Sequence, residues 1–211
     1  MSNITVSRPA GAALLRKLTQ PLFDTNILQN GAAPVPLQFF QIPFGGAMPV
    51  TAVAKTLCDT NMTQAAQLGM PQMFDLEGFQ FEYFIHANAD LANIATDIFF
   101  LYEQSVFTFF FGQARPWLEV PLSQIPTGTA LTGTNSDGDI TANTEATWLH
   151  NGHASVKSLY RFTVGKKAIR VQSAESFYAQ ITWPNGVGAF TWGVANSRVR
   201  TYMVGSLYAA L

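Results

Sequence analysis

The chain has 211 residues, of which 48% are apolar and only 12% charged, with a formal net charge of −1. An ordinary soluble domain carries about 25% charged residues, so this composition excludes intrinsic disorder and predicts a surface much of which lies against something other than water. One cysteine, Cys58, excludes an internal disulfide scaffold.

Residues 9–19 open with Pro9 and place Leu14, Leu15 and Leu18 on one face, with Arg16 and Lys17 towards the other. That spacing predicts a short helix, ended by Pro21. An Asn-, Gly- and Pro-rich stretch follows over 26–36. Residues 1–34 therefore read as an N-terminal arm and 35–211 as the main domain. The arm's contact residues are Leu14, Leu15, Arg16, Lys17 and Leu18, set to pack on the domain, a neighbour, a membrane surface or nucleic acid. Removal of residues 1–22 is expected to leave the domain folded and to weaken assembly.

Residues 35–42 predict a first strand. Residues 45–78 contain Pro49, Pro71 and four Met, and read as a long, partly ordered excursion with a strand near 50–56. Loops of this length are usually functional or make contacts between subunits. The clearest period-2 pattern begins at Phe79, where Phe79, Phe81, Tyr83 and Ile85 alternate with polar residues and only Phe84 breaks the polar side. Asn88 or Asp90 caps a helix carrying Leu91, Ile94, Ala95, Ile98 and Tyr102 at helical spacing.

Residues 106–111 read as a buried strand and 117–122 as a second; 126–143 form a small-polar surface loop. Strands are expected at 144–149, 158–164 and 168–172, the last two joined by Gly165-Lys166-Lys167. Phe177, Ala179, Ile181 and Trp183 then alternate with Ser176, Tyr178, Gln180 and Thr182, and Pro184-Asn185-Gly186 turns the chain. Over 198–207, Val199, Thr201 and Met203 oppose Arg198, Arg200 and Tyr202. An all-β antiparallel sandwich accommodates this pattern.

Charge is distributed unevenly. Residues 1–23 hold three basic residues and no acid. Residues 24–156 hold Lys55 and Arg115 against twelve acids. Residues 157–211 hold seven basic residues against Glu175. Either neighbouring strands pair these charges locally, or complementary faces steer like subunits together. The start of the chain lacks a basic region followed by an apolar stretch, and no apolar run approaches the ~20 residues that span a bilayer, so neither a signal peptide nor a transmembrane segment is expected.

Sites of chemistry are sparse. His150 and His153 could hold a metal if further ligands converged, but His86 is remote and the intervening Asn-Gly suggests a tight turn. Asn135, Asp137 and Asp139 offer oxygens at alternate positions, as calcium loops do, without the downstream bidentate Glu. Cys58 has no activating base beside it. No Gly-x-Ser-x-Gly elbow exists, and Gly186-Val187-Gly188 lacks the third glycine of a dinucleotide loop. Lys166, Lys167, Arg170, Arg198 and Arg200 would make a basic patch for nucleic acid if their strands adjoin. Trp148, Trp183 and Trp192 could line a sugar site, although Trp183 falls on the apolar side of its strand. No catalytic residue, cofactor or metal is assigned, and no small-molecule substrate is expected.

The order of elements is distinctive. A strand over 79–85 leads through a capped helix over 89–102 into an aromatic strand over 106–111. Then come Arg115-Pro-Trp-Leu-Glu-Val-Pro-Leu, Ser176-Phe-Tyr-Ala-Gln-Ile-Thr-Trp-Pro and Arg198-Val-Arg-Thr-Tyr-Met-Val-Gly-Ser-Leu. Over residues 79–211 this resembles the jelly-roll coat proteins of tailless icosahedral bacteriophages and related viruses, whose last strand often ends near a glycine, here Gly205. The resemblance implies a single jelly-roll β-sandwich of about eight strands, with one or two short helices and an N-terminal arm. It implies a major capsid protein that self-assembles into an icosahedral shell and is made in the host cytoplasm. Its partners would be copies of itself, other capsid or vertex proteins, and an internal viral membrane or genome. A carbohydrate-binding β-sandwich module is the alternative.

Overall fold

Backbone polar groups in a chain this apolar must find partners in ladders, and the computed structural model satisfies them with two antiparallel sheets. It describes residues 15–84, 100–112, 115–126, 134–135, 146–147, 159–161, 169–191 and 196–210. The strands are β1 (Leu15–Leu18), β2 (Leu22–Leu28), β3 (Leu37–Phe39), β4 (Met73–Phe84), β5 (Val106–Phe111), β6 (Pro116–Pro121), β7 (Thr134–Asn135), β8 (Ala146–Thr147), β9 (Tyr160–Arg161), β10 (Ile169–Gln172), β11 (Phe177–Thr182) and β12 (Ser197–Ala210). The first sheet runs β2-β12-β4-β10. β1 extends the β2 side of β12, and β9 extends the β10 side of β4. The second sheet runs β3-β11-β5-β6, and β7 pairs with β8 alone. With β1–β2 and β9–β10 each taken as one interrupted strand and β7–β8 set aside, the chain passes between the sheets in the order of a single jelly roll, β5 and β6 alone following each other in one sheet.

The core is aromatic because strand faces place every second side chain inward. Phe79 of β4 stands between the sheets, its ring 5.1 Å from Phe107 and 4.9 Å from Phe109 of β5. Phe39, Phe74, Phe81, Phe177 and Phe190 are also fully buried. Trp183 lies in the core as its strand position requires, and its indole N–H donates to the Phe100 carbonyl at 3.1 Å.

β4 begins six residues earlier than the alternation from Phe79 suggests. Phe74 and Leu76 point inward, but Leu76 and Phe79 are three apart, so strict alternation fails between them. Glu77, the extra residue of β4, bulges opposite Val204 and Gly205 of β12 and so returns both runs to the core. Glycine is required on both sides of this irregularity. A Cβ on Gly205 would lie 2.0 Å from the Asp75 carbonyl oxygen, and one on Gly78 2.3 Å from that of Tyr160.

The N-terminal expectation is corrected. Residues 15–18 are strand β1, paired Leu15 to Ala210 through Leu18 to Leu207, instead of the second half of a helix over 9–19. A helix this short has little stability by itself, whereas fourteen-residue β12 offers a ladder beyond the end of β2. The register continues unshifted from β1 to β2 across Pro21. Residues 15–28 therefore belong to the sandwich, and the boundary at 34/35 does not separate an arm from it. Deleting residues 1–22 would remove sheet strand β1 together with Leu22, which is buried in the core.

Other elements are shorter than expected. The first strand of the main domain is limited to Leu37–Phe39, because Phe40 turns to a φ of 68°. Residues 50–56 contribute one isolated bridge, Ala47 to Ala54, instead of a strand, and Ala52 has a φ of 55°. Of the helix over 89–102, residues 100–102 are described, and they are helical.

Candidate assembly surface

The segment between β3 and β4, residues 40–72, covers the otherwise open edge of β2. Thr60 bridges to Asp24 of β2. The Asn61 side chain completes the cover: Nδ2 donates to the Pro21 carbonyl at 2.8 Å and Oδ1 accepts the Phe23 N–H at 2.9 Å. Met62 and Leu68 are buried in the core, and the Ala66 carbonyl accepts the Phe177 N–H at 2.8 Å. The excursion thus has extensive internal anchoring without regular strands, in place of the partial order expected from its sequence.

Its central anchor is an ion pair. Lys55 Nζ lies 2.6 Å from Asp24 Oδ1, and both side chains are at most 1% exposed. Asp24 Oδ2 accepts the Phe40 N–H at 2.7 Å, which fixes the residue whose positive φ starts the excursion. Burial pushes the Asp24 carboxyl above its ordinary value, outweighing the Lys55 charge and the hydrogen bonds from Lys55, Phe40 and Thr60. A second anchor crosses to β12. Asp59 accepts Arg198 at 3.1 Å and the Thr56 N–H and hydroxyl at 2.9 and 2.7 Å. Partial burial opposes ionisation of Asp59, but the Thr56 hydrogen bonds and the Arg198 and Arg200 charges prevail and hold it below its ordinary value.

These two anchors use every Asp, Glu, Lys and Arg of residues 40–72, since Lys55 and Asp59 are the only ones there. What the excursion shows to the outside is apolar. Phe44, Val53, Leu57 and Met70 are exposed, Leu57 by 70% and Met70 by 83%. Among the described residues they are four of the six large hydrophobic side chains so exposed, with Val35 and Trp117 as the others.

Trp117 belongs to β6, the edge strand opposite β3 in the second sheet. Asn26 of β2 bonds to the Gln38 carbonyl of β3 at 3.1 Å, so β2 and β3 share one side of the sandwich, and the excursion runs from there to the Phe177 N–H of β11, next to Ser176. β6 is the far edge of the second sheet. There Phe111, Gly112, Arg115, Trp117, Glu175 and Ser176 line a concavity of about 620 Å³. Trp117 meets Phe111 edge-on at 5.9 Å. Gly112, at a φ of 68°, donates its N–H to the Ser176 carbonyl and closes the base.

The residues singled out from sequence are dispersed. Leu14 lies outside the described residues. Leu15 pairs with Ala210 in β1, Arg16 and Lys17 are exposed, and Leu18 packs on the core. Lys17 stands 6.0 Å from the Tyr208 ring centre. His86, His150, His153, Asp137, Asp139, Glu145, Trp148 and Trp192 lie outside the described residues, as do Lys166 and Lys167. The remaining basic residues form no common patch: β4 separates Arg170 from β12, and each guanidinium faces a carboxylate. Arg170 pairs with Asp75, Arg198 with Asp59, and Arg200 with Glu82 at 3.5 Å. Those pairs join the acidic middle of the chain to its basic end within one subunit, so local pairing accounts for that part of the charge asymmetry. Arg200 also explains Phe84, the apolar residue on a polar face: its guanidinium lies 4.7 Å from that ring centre and is further flanked by Phe23 and Tyr202.

Sequence reasoning missed the Asp24–Lys55 pair and the exposure of Trp117. A signal for the pair exists, because Lys55 is the only Lys or Arg between Lys17 and Arg115. Among the described residues no cluster of His, Cys, Asp and Glu could hold a metal, and no helix is long and apolar enough to cross a membrane. Comparison with protein-family models, curated protein sequences and solved structures finds no match to this chain.

Proposed function

We propose that this protein is a non-enzymatic structural subunit that assembles with copies of itself into a viral shell, as a major capsid protein found in the virion. The observation that carries the reading is the excursion over 40–72: it is firmly anchored, both its charges are consumed in internal ion pairs, and it presents Phe44, Val53, Leu57 and Met70 outward. Isolated exposed apolar residues need no explanation, but several on one anchored, charge-neutral segment mark a surface for association. The edges of the second sheet are poor alternatives for assembly. β3 is only three residues long, and β6 has Pro116 and Pro121 at its ends. The single jelly roll fits a shell subunit, and the resemblance in element order points the same way. Other capsid or vertex proteins, an internal membrane and the genome are further partners in this reading.

Light scattering and negative-stain microscopy on the purified protein, over a range of concentration and salt, test it. Rings, capsomers or closed shells are the expected result. A particle of 23.0 kDa under every condition overturns the reading. A jelly roll also serves lectins, and one observation favours a carbohydrate-binding module: Trp117 is 47% exposed beside a polar-rimmed concavity, as a sugar-stacking ring would be. Glycan-array binding by the 23.0 kDa monomer, abolished in Trp117→Ala, supports that module.

A further inference from the structure

We infer, resting on the carbohydrate reading of the Trp117 concavity, that it takes a carboxylated saccharide, with the indole stacked on the sugar ring and Arg115 on its carboxylate. The local cause lies in β6. Leu118 pairs with Phe109 and Pro116 with Phe110, so Trp117 is the extra residue of a bulge. A bulge takes a side chain out of the alternation of its strand and re-aims it, and here it leaves Trp117 47% exposed. Phe111 meets that ring edge-on at 5.9 Å and supports it.

The small residues Gly112, Ala174 and Ser176 leave about 620 Å³ open beside the ring, within the ~300–1,000 Å³ of pockets that hold one ligand. Charge selects the acid. Arg115 is exposed, and no carboxylate lies within ion-pair distance of it among the described residues. Glu175, the one acid in the lining, accepts the Gln172 N–H at 2.8 Å. A guanidinium without a partner presents a planar fork that matches a carboxylate with two hydrogen bonds. The second Glu175 oxygen and the Ser176 hydroxyl line the same space and can accept from sugar hydroxyls. A nucleic-acid strand also stacks on Trp and contacts Arg, but it needs a track of cations along its backbone. This concavity has one, offset by Glu175, and β6 beside it adds Glu119. An apolar occupant would strip water from Arg115 without replacing its hydrogen bonds.

Saccharide pairs that differ only in the charge of a carboxylate test it: oligogalacturonate against its methyl ester, and sialyllactose against its methyl ester. Binding to the full chain is read on a glycan array holding these and neutral saccharides, and by calorimetric titration. The acid of at least one pair should bind roughly tenfold or more tightly than its ester, as a hydrogen-bonded charge pair contributes. That preference should shrink in high salt. Arg115→Gln should erase it, with acid and ester bound alike. Trp117→Ala should abolish binding of both. Both positions are exposed in the subunit, so both variants should keep the wild-type circular dichroism.

Wild type that binds acid and ester equally, or neutral saccharides alone, with binding lost in Trp117→Ala, overturns the carboxylate assignment and leaves the carbohydrate reading standing. A preference for the acid that survives Arg115→Gln overturns the assignment of Arg115. No binding of any saccharide overturns both the acidic ligand and the carbohydrate reading. Binding of oligodeoxythymidylate, lost in Trp117→Ala and accompanied by no saccharide binding, assigns the concavity to single-stranded nucleic acid and also overturns both.

Discussion

Asp24 and Asp75 each meet a cation in the same six-stranded sheet, under opposite conditions. Asp24 lies at the β2 edge beneath the excursion, 2.6 Å from Lys55 Nζ, with both side chains at most 1% exposed. Asp75 lies on the outer face towards β10, where Arg170 reaches it with Nε at 2.7 Å and a second nitrogen at 3.0 Å, the Arg170 side chain being 54% exposed. By geometry alone the two-bonded Arg170 pair is the better one. Solvent reverses the ranking of what each loss would cost. Water solvates Asp75 readily when Arg170 leaves, whereas Asp24 or Lys55 left alone would be a buried, uncompensated charge. The same burial is what makes the first pair a device for holding a loop, since it ties Lys55 of the excursion and the Phe40 N–H to one carboxylate.

The largest expected break in this comparison is Lys55→Met. It should cost about 3–5 kcal/mol of unfolding free energy in urea titrations, as removal of one member of a buried pair does. It should also speed amide exchange across residues 40–72 before the rest of the sheet opens. Adding Asp24→Leu removes both charges and should recover most of that loss; the Phe40 N–H then lacks its acceptor, leaving a deficit of about 1–3 kcal/mol. A double variant no more stable than Lys55→Met would show that the loss comes from packing instead of an orphaned charge.

Gly205→Ala attacks the Asp75 side through the backbone. Its Cβ would lie 2.0 Å from the Asp75 carbonyl oxygen, so β4 and β12 must separate at the bulge. About 1–3 kcal/mol should be lost in thermal or urea unfolding, more than from Arg170→Ala in the adjacent row of the sheet. Arg170→Ala itself should cost no more than about 1 kcal/mol and become smaller in high salt, as a surface pair does. A loss of several kcal/mol for Arg170→Ala would remove the distinction between the two regions.

The pH response supplies the smallest and most specific contrast. Burial pushes the Asp75 carboxyl up, but the Arg170 hydrogen bonds and charge, with help from Tyr208 and Lys17, outweigh it and hold the group below 3.8. Its stabilisation is present above the unfolded value of 3.8 and is lost as pH falls through the lower folded value. Asp24 is raised, so its contribution is fully present below 3.8 and is lost as pH rises through the folded value. On acidification through the carboxylate range, the Tm advantage of wild type over Asp75→Asn should narrow. The difference from Asp24→Asn should move in favour of wild type. Parallel curves for the two variants would refute the assigned directions.

Much of the sandwich is legible in period-2 patterns, and the reason is local. A strand buried on one face declares that face by alternation, as Phe177, Ala179, Ile181 and Trp183 do, and all four are buried. Alternation fails as a guide where the backbone changes phase. The first half of β4 reads as loop because Leu76 and Phe79 are three apart, and only the pairing with β12 shows that a bulge reconciles them. The leucines at 14, 15 and 18 fit a helix equally well in one dimension. The free ladder of β12 makes Leu15–Leu18 a strand, and that ladder comes from the opposite end of the chain.

The candidate surface was legible in outline alone. A long Met- and Pro-bearing segment with almost no charge announces itself as an excursion with contacts to make. Which of its side chains point outward does not, because exposure depends on what packs beneath. Met62 and Leu68 are buried while Leu57 and Met70 of the same segment are exposed, with no periodicity to separate them. Composition and alternation thus determined the all-β class, the aromatic core and an under-charged surface, since each follows from near-neighbour chemistry. The pairing of Asp24 with Lys55, the capture of the basic C-terminal strand by acids of the middle segment, and the exposure of Trp117 on edge strand β6 were decided by tertiary structure alone. The pairings join residues far apart in the chain, and only closure of the two sheets brings them into contact.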